Sequence, residues 1–475
     1  GVDNVVDRAD LFVSADIGRA ADRMGDVNGD GFTDLVFIRR ADNGNSTVIT
    51  AVMGGLTDPI ELPRVIDRDW IEDVLAVNGQ NRVRQLSTAS TNGAQFLSRE
   101  LSNPDASFSV VNWDDDGFAD VLVVSDQLHS NANGNARVAG YVFDGQSFWG
   151  AEDLPSATAA SRLAMFTLPA TDVVTEARAL LNDGVGTGSV SSRAVASPRL
   201  SAIVAGDVDG DGREDVLIAD TGAITFPSAA GAGGEGSGST LLPNYGKVYL
   251  LSATSQGVQQ TVALGTASMA VVQGFGIGAS LAALGDLDRD GYDDFAVGRS
   301  FEGRKSGPTD PAEEGGLFVF GGRESFGARN AKLAPEDARI TVRRDVAANI
   351  PLGITYQGAL TATAGDFNAD GVADLAVGEA ARLTVSGGTT LDQSERGAVH
   401  VFFSVLQKGT RVALTSADST ITGQSEFDRL GVLPATPYID IDADGRSDLL
   451  LGAGGTDFVT ERLVPGAGKI YVAYG

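Results

Sequence analysis

Asp286, Asp288, Asp290 and Asp294 fall at positions 1, 3, 5 and 9 of a nine-residue loop within GDLDRDGYDDFAVG, residues 285–298. Carboxylates packed this closely repel one another unless a cation lies among them. Their donors are hard oxygens. Calcium accepts about six to eight such ligands at about 2.3–2.6 Å, from carboxylates, carbonyls and amide oxygens. Positions 1, 3 and 5 converge when the backbone curls, and Gly291 at position 6 permits the sharp turn that a side chain would obstruct. Tyr292 at position 7 can offer its carbonyl, and Asp294 at position 9 closes the cage. Magnesium suits such a loop less well, because it demands a compact octahedron and keeps its waters.

Five further stretches fit the same template, Asp/Asn-x-Asp/Asn-x-Asp-Gly-x-x-Asp. The first supplies Asp26, Asn28, Asp30, the Phe32 carbonyl and Asp34; the second Asn112, Asp114, Asp116, the Phe118 carbonyl and Asp120. The third supplies Asp207, Asp209, Asp211, the Arg213 carbonyl and Asp215. After the loop at 286–294 come Asp366, Asn368, Asp370, the Val372 carbonyl and Asp374, then Asp440, Asp442, Asp444, the Arg446 carbonyl and Asp448. Asn28, Asn112 and Asn368 keep an oxygen while removing a charge. About six bound calcium ions are expected, which would move the formal net charge from −28 to −16.

What must position these loops is read from their flanks. An EF-hand would need a bidentate Glu at position 12 and a following helix. Position 12 is instead Phe37, Val123, Ile218, Val297, Val377 and Leu451. The runs after position 9, LVFI, VLVV, VLIA, FAVG, LAVG and LLLG, read as short buried strands. A second apolar run follows further on, as in GKVYLLS, GGLFVFGG, GAVHVFFS and GKIYVAYG, and a third in ARITVRR or STITGQ. With SLAALGD or LTATAGD upstream, each unit offers strand A, the acidic loop, strand B, a variable connection, strand C and strand D. Tandem four-stranded antiparallel units with no helical period predict an all-β fold, a β-propeller occupying residues 1–475 as one domain.

The motif starts at 26, 112, 207, 286, 366 and 440 are 86, 95, 79, 80 and 74 residues apart. Within the first interval, VIDRDWIEDVLAVNG from Val65 aligns imperfectly, and residues 65–73 are expected to be a degenerate loop followed by a strand. Read as a unit that no longer binds metal, it makes a seven-bladed propeller the expectation, with six blades as the alternative. The chain closes on KIYVAYG, a strand C, so DLFVSAD (10–16) is expected to complete the last blade and remove its open edge.

Composition narrows the partner. Hydrophobic residues make up 43% of the 475, too many for an acidic disordered polymer. A net charge of −28 argues against nucleic acid and against an anionic membrane surface. No apolar run reaches the length of a membrane span. Cysteine is absent, so neither disulfides nor thiolate sites hold the fold. A first residue Gly1 in place of Met reads as a processed protein or an excised segment.

Strand A, the acidic loop, strand B and a following Gly-x-Val-Tyr-Val resemble the FG-GAP repeat of integrin α-subunit N-terminal propellers. GFGIGASLAALGDLDRDGYDDFAVG (274–298) carries the Phe-Gly pair that opens such a repeat, at Phe275 and Gly276. The resemblance implies an extracellular or cell-surface calcium-bound propeller of adhesion type. It departs from integrins in having six acidic loops and no inserted metal-dependent ligand domain. The Cys-free, Ala/Asp/Gly-rich chain is more similar to a bacterial surface protein.

Enzymatic chemistry finds little support. His129 and His400 are the two histidines, and no Gly-x-Ser-x-Gly elbow accompanies them. GFGIG at 274–278 and GAGK at 466–469 lack the surroundings of a nucleotide site. The chain is therefore expected not to be an enzyme but to recognise an extracellular protein or glycan, as a monomer or part of a larger chain. Alternatives are a purely structural module and a carboxylate-dependent carbohydrate-active enzyme. The long B–C connections, among them 125–137, 221–246, 300–316, 379–397 and 452–468, are the expected recognition surface. An insertion at 150–200 with a helix-like piece, VVTEARALLNDG, precedes the third motif.

Overall fold

A computed structural model describes residues 12–13, 19–20, 25–27, 29, 34–40, 47–53, 65–66, 68–76, 83–87, 107–124, 136–145, 162–169, 195–197, 200–221, 223–226, 240–242, 245–253, 260–299, 301–304, 312–313, 316–327, 331–344, 354–357, 359–380, 383–385, 396–408, 410–423, 429–438, 446–453, 457–459, 462–464 and 469–475. They form two units, Gly1–Ala170 with Ala253–Leu264, and Thr171–Ser252 with Gly265–Gly475.

Each acidic motif leads into the second strand of an antiparallel sheet. In the first unit, one sheet runs Arg19–Ala20, Leu35–Arg40, Thr47–Val52, Val83–Ser87, and a second runs Ser107–Val111, Asp120–Val124, Ala136–Phe143, Arg162–Pro169. In the second unit, the third sheet runs Leu200–Gly206, Asp215–Asp220, Tyr245–Leu251, Ala270–Phe275, and the fourth Ile277–Gly285, Asp294–Arg299, Leu317–Phe320, Ile340–Arg343. The fifth runs Thr361–Gly365, Asp374–Glu379, Ala398–Phe402, Ser419–Thr422. The sixth has three strands among the described residues, Leu430–Val432, Leu449–Ala453 and Lys469–Ala473. These are blades of the β-propeller class, and the described residues contain six of them, one per motif.

Strand B is apolar on both sides because sheets stack face to face. All residues of Asp120–Val124 and Asp294–Arg299 are buried. Val36, Ala51, Phe108, Val110, Val121 and Val123 fill the layer between the first two sheets. Leu217, Ala219, Val248 and Leu250 meet Phe295, Val297, Phe318 and Phe320 between the third and fourth. Similar layers join the fourth to the fifth sheet and the fifth to the sixth. The Phe275–Gly276 pair marks the crossing from one sheet to the next. Gly276 and Gly278 have φ of +69° and +86°, the left-handed region that side chains resist.

Three expectations are corrected. Residues 65–73 are not a degenerate loop leading to a strand: after the short strand Val65–Ile66 the chain forms helix α1, Arg68–Ala76. Trp70, Ile71 and Val74 share one helical face and pack on Phe37, Val52 and Val83, while Arg68 pairs with Glu72 one turn on. The DLFVSAD segment does not extend the last sheet in the described residues. Its Phe12–Val13 pairs in parallel with Val65–Ile66. Part of the supposed insertion at 150–200 is the fourth strand of the second sheet, Arg162–Pro169; VVTEARALLNDG lies outside the described residues.

A fifth strand, which no motif in the sequence marks, joins three sheets. Ala331–Leu333 lies in the chain between the third and fourth strands of its own sheet, yet pairs in parallel with Ala270–Val272 of the preceding sheet. Arg411–Ala413 pairs likewise with Thr341–Arg343, and Gln260–Ala263 with Ala164–Thr167 in the first unit. A short turn follows each latch, Leu264–Ala267, Pro335–Asp337 or Leu414–Ser416. Leu264, Leu333 and Leu414 are buried there.

Candidate metal centre

The four loops described in full share one arrangement. Strand A delivers the chain to position 1 and strand B starts at position 9, so the loop is a tight A–B connection. Its carboxylates first bind the loop's own amides. Asp286 Oδ1 accepts from the Asp290 amide at 3.0 Å and its Oδ2 from Gly291 at 2.9 Å. Asp366 repeats this with Asp370 and Gly371, at 3.1 and 2.8 Å. Asp207 Oδ2 accepts from Gly212 at 2.9 Å, and Asn112 Oδ1 from Asp115 at 3.1 Å. At position 5, Asp116, Asp211, Asp290 and Asp370 each accept from the amide of position 7: Phe118, Arg213, Tyr292 and Val372.

Backbone shape explains the convergence. Gly117, Gly212, Gly291 and Gly371 at position 6 all have positive φ, from +77° to +92°. Position 4 does too, which the template does not require: Gly29, Asp115, Gly210, Arg289 and Ala369 lie between +58° and +74°. The signal was faint, because only two of these five residues are glycine.

The position-9 aspartates do more than close a cage. Asp34, Asp120, Asp215, Asp294, Asp374 and Asp448 are 0–3% exposed. Oδ2 of the first five accepts from the amide of position 2, at 2.8–3.1 Å from Val27, Trp113, Val208, Leu287 and Phe367. Oδ1 of Asp120, Asp294, Asp374 and Asp448 accepts from an amide just past strand C, in Gly145, Gly322, Ser404 and Gly475. Each clamps its loop to its own sheet.

The third loop lacks that last bond: Asp215 Oδ1 is buried without a hydrogen-bond partner, as are Asp207 Oδ1 and, in the second loop, Asp114 Oδ1. Asp207, Asp209 and Asp215 bring carboxylate oxygens within 4.8 Å of one another, and so do Asp286, Asp288 and Asp290. Burial, reinforced by neighbouring carboxylates, pushes Asp120 and Asp215 up to about 8 and Asp294 up to about 7. The same causes raise Asp114, Asp209 and Asp374. Buried oxygens without donors, hard in character and negative in sum, fit a divalent cation and leave no place for an anion.

Adjacent loops are also joined. The amide of position 8 donates to the carbonyl of position 1 in the preceding loop: Ala119 to Asp26, Asp293 to Asp207 and Ser447 to Asp366, at 2.8–3.2 Å. Asp293 Oδ2 accepts in turn from the Asp207 amide at 2.8 Å. Asn28, Asp30, Phe32, Asp440, Asp442 and Asp444 lie outside the described residues, while Arg446 and Asp448 stand at the foot of the sixth sheet. His400 on strand C of the fifth sheet has Nδ1 3.3 Å from Thr420 Oγ1, and Nε2 3.7 Å from Glu379 Oε2. Glu379 in turn holds Arg344 Nε at 2.5 Å.

Stacked four-stranded blades with an acidic loop between their first two strands define a propeller-type repeat protein. Residues 278–320 match the FG-GAP repeat, which places the fourth sheet's loop and its first three strands in that family. Over 175 residues the chain is 31% identical to integrin alpha-IIb of Homo sapiens. That stretch covers 36% of this chain and 14% of the integrin subunit, so the match spans a small part of the relative's length. The chain thus resembles the FG-GAP repeat at 278–320 and an integrin α-subunit over the matched stretch. No helix among the described residues is long and apolar enough to cross a membrane.

Proposed function

We propose that this chain is a calcium-stabilised, non-catalytic recognition module working outside the cell. It meets an extracellular protein or glycan at the sheet ends opposite the acidic loops. The observation that carries the calcium reading is the third loop, where Asp207 and Asp215 hold buried oxygens with no donor and Asp209 lies within reach of both. One divalent ion there supplies both the missing partner and the missing charge. Loops mounted on turns, with water on one side, belong with extracellular calcium modules of Kd about 10⁻⁴–10⁻³ M, which fill in millimolar calcium and stay empty in cytosol.

Strand order supports the recognition surface. In a meander the acidic A–B connections lie at one end of every sheet and the B–C connections at the other. Several of the latter grow strands of their own. Ala223–Phe226 pairs with Thr240–Leu242, and Asp457–Val459 with Arg462–Val464. Phe301–Arg304 pairs with Ala312–Glu313 and with Ile354–Gln357, which in turn pairs with Leu383–Val385. Connections built into extra sheets make a preformed surface.

The test is thermal unfolding with and without metal, joined to binding on a glycan and protein array. Removing calcium is expected to lower the melting temperature by many degrees, with calcium restoring it better than magnesium. Each site contributes about 2.7 kcal/mol when calcium exceeds its Kd a hundredfold. Shortening 302–314 is expected to weaken array binding and leave melting unchanged. A melting temperature indifferent to verified metal removal rejects the calcium reading. Normal binding by the shortened chain rejects the surface.

A further inference from the structure

The fourth sheet's acidic loop holds a cation of its own. Arg339 Nη1 forms an ion pair with Asp288 Oδ2, the position-3 carboxylate, and that side chain is only 5% exposed. Arg339 stands just before strand D, where its amide donates to the Val319 carbonyl at 2.8 Å. The same backbone bond is made by Met269 to Leu250 in the third sheet and by Asp418 to Val401 in the fifth. One structural position beside the acidic loops therefore carries a neutral, a positive and a negative side chain in three successive sheets. The fold does not need an arginine there.

We propose that Arg339 is a resident counter-cation that sets the ion affinity of the loop at 286–294, making it weaker than the loop at 207–215. This rests on the calcium reading above. In the third loop Arg213 pairs with Asp211 at 3.4 Å, but the fully buried Asp215 keeps an oxygen beside Asp207 and Asp209 that no protein donor answers. In the fourth, a divalent ion that takes Asp288 must displace the guanidinium or share the carboxylate with it, and either weakens its hold. Without metal, Arg339 already offsets one charge, and the fourth loop tolerates emptiness better than the third.

The experiment compares the whole chain with Arg339→Met, the residue type that the third sheet uses, by calcium calorimetry and by melting of metal-stripped protein. One class of sites is expected to tighten about fivefold, the ratio that about 1 kcal/mol gives. The metal-stripped variant is expected to melt lower than the metal-stripped parent. Arg339→Lys keeps the charge and is expected to bind as the parent does. Adding Asp290→Ala, which removes a ligand of this loop alone, is expected to abolish the gain. Unchanged affinities in Arg339→Met, equal tightening in the lysine variant, or a gain that survives Asp290→Ala each overturn the proposal while calcium binding stands. A parent chain that binds no calcium overturns the calcium reading itself.

Discussion

Asp120 and Asp215 each sit among carboxylates in a place that water hardly reaches, and this makes them proton-binding groups near neutrality when no metal is present. Their ordinary value is 3.8, and both rise to about 8, with Asp294 at about 7. A carboxyl raised on folding favours the folded state while it is protonated. That contribution is complete below about pH 4 and is lost as pH climbs through 7 to 8. Bound calcium favours the ionised form instead. The gap between the melting temperatures of calcium-loaded and metal-stripped protein should therefore widen steadily from pH 5 to pH 8. A gap independent of pH would contradict the burial of these groups. Strain offers a second test at this scale. Ala369 holds φ of +58° at position 4, where the third loop has Gly210. Ala369→Gly should stabilise the chain by about 1 kcal/mol, read as a higher melting temperature.

Among elements, the hairpin around each acidic loop was legible from sequence because its information is local. Ligands alternate, glycine turns, and a doubly buried strand follows within nine residues. The latch strands were not legible. Gln260–Ala263 alternates between partly buried and exposed, is only four residues long, and owes its pairing to a neighbouring sheet. Helix α1 is disguised by a local pattern of the wrong kind. Asp67, Asp69 and Asp73 fall on the loop template, but no glycine stands at its turn, and the spacing of Trp70, Ile71 and Val74 is helical. The position-9 aspartates were expected as ligands; their grip on Gly145, Gly322 and Ser404 depends on strand C, some 25 to 30 residues away. The latches should matter to stability. Leu414, 4% exposed beneath the third latch, packs into the layer between the fourth and fifth sheets. Leu414→Ala should cost about 2–5 kcal/mol in denaturant unfolding, whereas Val472→Ala, at 39% exposure, should stay within about 0.5 kcal/mol.

At the level of the whole molecule, charge and architecture meet in the acidic loops. The chain carries −28, and self-repulsion of that size works against compact packing. The loops concentrate much of it where an ion can answer it. They also touch: Ala119 with Asp26, Asp293 with Asp207 and Ser447 with Asp366 join neighbours through the backbone. The parallel latches give such a chain a way of carrying load. Tension applied along the polypeptide at the fourth sheet reaches Ala331–Leu333 before Ile340–Arg343, and so bears on the third sheet's outer strand first. A parallel strand pulled lengthwise must break its hydrogen bonds together, where a hairpin unzips one at a time. Traction on one repeat is thereby shared with the repeat before it.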